Sequence, residues 1–95
     1  MRLYSENDFL KLVGILETYL TDSILGKKVE VVINGNKKVG IVRKVELERG
    51  EYICLLLTFG KKTERIPLLN ETKAHLNKEL FVIETKNHST VIEIL

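Results

Sequence analysis

The chain has no tryptophan, one cysteine, one proline and six glycines among its 95 residues, and only 6% of it is aromatic. A lone Cys54 excludes an internal disulfide and fits a reducing compartment. The longest unbroken run of aliphatic and thiol side chains goes from Ile53 to Leu57, far short of the ~20 residues a membrane-crossing helix needs. The first residues, Met1-Arg2-Leu3-Tyr4-Ser5-Glu6-Asn7-Asp8, carry acids where a signal peptide would carry a basic stretch and then an apolar one. The expectation is a cytoplasmic protein with no membrane partner.

Chemistry is equally sparse. Nucleophilic catalysis needs a nucleophile beside a base that a third group orients, and the candidates are Cys54, His75 and His88. Cys54 lies in an apolar run, where a thiol is expected to be buried and unreactive. The two histidines are 13 residues apart with no second cysteine to complete a zinc set. Gly26, Gly35 and Gly40 fall at turns or bends rather than in a phosphate-cradling loop. No enzymatic activity, catalytic residue, metal or other cofactor is therefore expected.

What is present is 44% apolar and 29% charged, the balance of an ordinary globular domain. A chain of this size buries roughly 60–65% of its unfolded surface, enough for one core and too little for two lobes around a cleft. One domain, 1–95, is expected.

Ser5 and Asp8 nearly make a capping box, and Phe9, Leu12, Val13, Leu16, Tyr19 and Leu20 then recur at helical spacing. An amphipathic helix over about 6–20 follows. Gly14 inside it costs about 1 kcal/mol against alanine, so either a neighbour approaches closely there or packing sustains the helix. After Gly26 the period becomes two. Val29, Val31 and Ile33 alternate up to Asn34-Gly35-Asn36, a tight hairpin turn, and the return strand places Val39, Ile41, Val45 and Leu47 on its apolar face. Strands over 52–59, 63–68, 79–85 and 90–95 follow. The polar stretch 70–78 reads as a short helical turn capped by Asn70.

Gly40 falls midway along the longest strand, where a sharp bend lets one strand serve two halves of a sheet. The fold class expected is mainly β: a small, strongly bent antiparallel barrel of five to six strands over about 27–95, with the N-terminal helix. Strict alternation puts Arg43 on the apolar face, so it points into the barrel mouth or sits in a bulge, and the bulge is the expected placement.

The run Gly26-Lys27-Lys28-Val29-Glu30-Val31-Val32-Ile33, the Asn34-Gly35 turn and Gly40-Ile41-Val42 resemble the first strands of Sm-like small barrels, and Leu80 to Ile83 with Val91 to Ile94 resemble their last hairpin. SH3-like barrels share the pattern. The resemblance implies a bent barrel behind a helix, a ring-forming assembly and single-stranded RNA as a ligand.

Charge gives a separate pointer. Residues 27–44 hold six cations and one acid within a chain of net charge +2. Lys27, Lys28, Lys37, Lys38, Arg43 and Lys44, with Asn34 and Asn36 offering hydrogen bonds, are thus candidates for a nucleic-acid-binding hairpin. The alternative is a protein-interaction or homo-oligomeric module, because Leu10, Ile15, Val32, Val42, Cys54 and Leu56 fall off the main core faces.

Overall fold

The computed structural model describes residues 5–95. Helix α1 runs Glu6–Ile24, and strands follow at β1 Lys28–Ile33, β2 Asn36–Arg49, β3 Ile53–Phe59, β4 Lys62–Leu68, β5 Lys73–Leu76, β6 Leu80–Thr85 and β7 His88–Ile94. All seven strands lie in one antiparallel sheet in the order β4-β3-β2-β1-β7-β6-β5.

Ser5 starts the helix as the sequence predicts: its hydroxyl accepts from the Asp8 N–H at 3.2 Å and donates to the Asp8 carboxylate at 2.8 Å. The helix continues one turn past residue 20. The Thr21 hydroxyl is satisfied by the Glu17 carbonyl at 2.8 Å, and Ile24 carries the buried stripe onward from Val13, Leu16 and Leu20. Gly26, at φ +80°, then turns the chain into β1.

These four helix residues share one core with Val29, Val31, Val42, Leu55, Leu57, Phe59, Ile66, Phe81, Ile83 and Ile92. The helix thus lies against the inner face of the bent sheet. Tyr19 meets Phe81 edge-on, with ring centroids 5.9 Å apart.

Two expectations need correction. The sheet has seven strands rather than five to six, and it is open: β4 and β5 are its ends and no ladder joins them. The concave side is filled by a helix that already covers the apolar faces, which removes the need for closure. The edges are blunted instead, β4 by Pro67 and β5 by being only four residues long. The extra strand comes from 70–78. The turn there is held by Thr72, whose hydroxyl accepts from the Leu69 N–H at 2.8 Å while its own N–H donates to the Leu69 carbonyl, and Lys73–Leu76 then pairs with β6.

Strand β2 carries the bend. Its first half pairs with β1 and its second with β3, and the register slips by one residue between Val42 and Lys44. Arg43 is that extra residue, and it is exposed. The bulge also reverses the strand's faces. Val42 is 1% exposed, whereas Val39 and Ile41, placed on the apolar face by alternation, are 51% and 54% exposed.

Candidate binding surface

The two-residue turn at Asn34 (φ 48°) and Gly35 (φ 85°) sets the register of the β1–β2 hairpin. Val29 stands opposite Gly40 and Val31 opposite Lys38 on the inner face; Lys28 opposite Ile41, Glu30 opposite Val39 and Val32 opposite Lys37 form the outer one. The outer face continues onto β7, where Glu93 and Val91 pair with Glu30 and Val32.

This geometry divides the eight residues that the sequence groups together. Asn34 is tied into the fold: its side-chain oxygen accepts from the Ser89 N–H at 2.8 Å, and its own N–H donates to the Ser89 carbonyl at 2.9 Å. Asn36 is exposed at the start of β2, opposite Ile33. Lys37 pairs with Glu30 at 3.6 Å and Lys44 with Glu46 at 3.2 Å. Lys38 leaves the hairpin's outer surface altogether, ion-pairing with Glu64 of the edge strand β4 across the bend.

Lys27, Lys28 and Arg43 make no ion pair among the described residues. The chain brings them together through its backbone. The Gly26 N–H donates to the Val42 carbonyl at 2.8 Å and the Val42 N–H to the Lys27 carbonyl at 3.0 Å, so the helix-to-β1 turn is stitched to the bulge that exposes Arg43. The Leu95 N–H donates to the Lys28 carbonyl at 3.0 Å, which brings the end of the chain alongside.

The result is a composite surface. Half-exposed Ile41 and Val39 lie on the outer face, Leu25 is 48% exposed at the adjoining turn, and three uncompensated cations border them. Nothing in the amino-acid pattern marks Val39 and Ile41 as surface residues, because their exposure follows from the bulge. Tyr52 is exposed at the β2–β3 turn, beyond the far end of β2.

Other features suit chemistry less. Cys54 is 5% exposed, and burial, with the Glu48 carboxylate behind it, pushes its thiol pKa up while Arg65 offsets part of the rise. Glu48 and Arg65 pair at 2.9 Å from β2 to β4, spanning β3 beside this thiol. A cleft of about 440 Å³ between the start of α1 and the ends of β3 and β4 is lined by Phe9, Leu10, Tyr52, Ile53 and Leu68, with Glu51 and Asn70 at hand. Among the described residues no helix is long and apolar enough to cross a membrane, and no three His, Cys, Asp or Glu gather where they could hold a metal.

Compared with known proteins, the chain matches no family model, no curated protein and no solved structure.

Proposed function

We propose that the chain is a non-enzymatic binding module whose outer β1–β2 face docks an acidic segment of a partner protein through apolar anchors. The observation that carries this reading is exposed Ile41 standing opposite Lys28, with Lys27 and Arg43 brought alongside by the hydrogen bonds between the helix-to-β1 turn and the bulge: three cations without an ion pair among the described residues, beside exposed Val39, which stands opposite Glu30. Apolar anchors supply buried area, and uncompensated charge selects the partner and steers its approach. The strand that bends at Gly40 and serves both halves of the sheet supports placing the module among Sm-like or SH3-like folds.

Single-stranded RNA is the second reading, favoured by the same three cations. Two facts weigh against it: Lys37, Lys38 and Lys44 each already pair with a glutamate, and among the described residues no aromatic on the outer face of the hairpin offers a base a stacking platform.

Fluorescence anisotropy on two labelled probes separates the two. One is a panel of short peptides alternating acids with leucine or phenylalanine, the other an oligouridylate. The protein reading expects peptide binding that weakens about tenfold with Ile41→Ser and again with Lys28→Glu/Arg43→Glu, roughly 1.4 kcal/mol each. RNA binding that falls with the charge reversal and ignores Ile41→Ser would replace it with the nucleic-acid reading. Indifference of both probes to both variants rejects the surface as a binding site.

A further inference from the structure

Strand β2 has two neighbours, but not along the same stretch. Its ladder with β1 covers Asn36 to Ile41, and its ladder with β3 begins only at Val42, because β3 ends at Phe59 and the chain turns back through Gly60 and Lys61. The first half of β2 therefore keeps an open edge inside the sheet. The tight turn fixes which residues face it. Ile33 and Asn36 close the hairpin, so Asn36, Lys38 and Gly40 direct their backbone groups to β1, while Lys37, Val39 and Ile41 direct theirs the other way. The Gly60 N–H donates to the Ile41 carbonyl at 3.1 Å and the Leu95 N–H to the Lys28 carbonyl at 3.0 Å, as that parity requires. The N–H and C=O of Lys37 and Val39 have no backbone partner among the described residues.

A pocket of about 310 Å³ lies against this edge, lined by Lys38, Val39, Phe59, Gly60, Lys61 and Lys62. Lys38 is held by Glu64, whereas Lys61 and Lys62 are exposed and make no ion pair among the described residues. Open backbone, an apolar wall and spare positive charge thus meet in one place. We infer that an acidic, extended segment of a partner protein adds here as a strand, pairing with Lys37 and Val39 along the line that β3 vacates at Gly60. Main-chain bonds hold such a strand, and its alternate side chains give it specificity. Those on one face lie beside exposed Val39 and suit apolar residues. Those on the other turn to the side of Lys38 and the pocket, and suit Asp or Glu.

This mode of binding rests on the reading of the β1–β2 surface as a dock for an acidic segment. Charge selects the occupant. Pairing β2 with β2 of a second copy would set Lys37, Lys38, Lys61 and Lys62 against their own kind, and a nucleic acid has no peptide groups to complete a ladder. The edge from Asn36 to Gly40 is about 17 Å long, room for four or five residues and about four new backbone hydrogen bonds. So short a ladder relies on the lysines, and added salt weakens it.

Amide hydrogen exchange of the full chain, read by NMR, tests the open edge and the added strand in turn. In the free protein the Lys37 and Val39 amides should exchange about tenfold or more faster than those of Lys38 and Gly40, which donate to β1. Saturation with the tightest-binding peptide of alternating Glu and Leu should slow Lys37 and Val39 by about tenfold. Anisotropy then compares two N-methylated forms of that peptide: methyls at one set of alternate residues block the ladder and should weaken binding about tenfold, while methyls at the other set point away and should change it less than about twofold. Lys61→Glu/Lys62→Glu should also cost about tenfold. If the peptide binds and responds to Ile41→Ser, yet both methylated forms bind alike, the Lys37 and Val39 amides stay fast or the charge reversal changes nothing, strand addition is overturned and the docking surface stands. Failure of every peptide to bind overturns both. Slowing of the same two amides by oligouridylate alone, or by raised protein concentration alone, would overturn the proposal in favour of RNA or of a second copy.

Discussion

Gly40 and Gly14 are both glycines inside regular elements, and the structure assigns their alanine substitutions opposite signs. A Cβ at Gly40 would stand 3.0 Å from Phe59 Cδ2, 3.3 Å from the Gly60 nitrogen and 3.4 Å from the Phe59 carbonyl carbon. Phe59 is 4% exposed in the core, and the Gly60 N–H donates to the Ile41 carbonyl at 3.1 Å, so neither the ring nor the backbone yields freely. Overpacking of this kind costs about 1–3 kcal/mol, against which the reduced freedom of the unfolded chain returns about 0.4–1 kcal/mol. Gly40→Ala should therefore lose about 1–2 kcal/mol, which is roughly 5–15 °C in Tm for a domain of this size. Gly14→Ala, with open space around it, should gain about 0.5–1 kcal/mol from helix propensity. Urea unfolding at low protein concentration, followed by circular dichroism, reads both. Phe59→Leu should recover part of the Gly40→Ala loss and no more, because two of the three close contacts are with backbone. A Gly40→Ala variant as stable as the parent would refute the account of the bend.

Glu30 and Glu93 stand directly opposite on β1 and β7, with only the 3.6 Å pair from Lys37 to relieve them among the described residues. Glu93→Thr should raise the denaturation midpoint by an amount equivalent to about 0.2–1 kcal/mol, and high salt should shrink the gain. Cys54 adds a pH dependence of defined sign. Its folded-state pKa lies above the ordinary 9.0, so the unfolded chain loses its proton first and stability falls as pH rises from about 9 through the folded value. Subtracting the pH profile of Cys54→Ala from that of the parent isolates this slope from the lysines, and a flat difference would contradict it.

The local elements were legible because their signals are local. Ser5 and Asp8 are three residues apart, Asn34 and Gly35 are adjacent, and the positive φ of both turn residues is what those types permit. The 70–78 segment misled for a physical reason. A short edge strand is solvated on its outer face, so Lys73 and His75 point to water while Ala74 and Leu76 pack beside the core, and two apolar residues in four carry no period. Only its partner β6, reached after an intervening turn, makes it a strand.

The binding surface was half legible for a related reason. Sequence shows where cations are dense, but their freedom depends on acids placed opposite by the fold. Glu64 takes Lys38 out of the patch from 26 residues away. The bulge at Arg43 was foreseeable, since a cation on an apolar face requires some device to release it. Its further effect is not carried by the residue pattern. A one-residue slip changes which face every residue on one side of it occupies, so the same bulge that frees Arg43 buries Val42 and turns Val39 and Ile41 outward. Charge and apolar anchors on the outer β1–β2 face are thus products of a single irregularity in β2. A deletion that removes it would have to disturb both together.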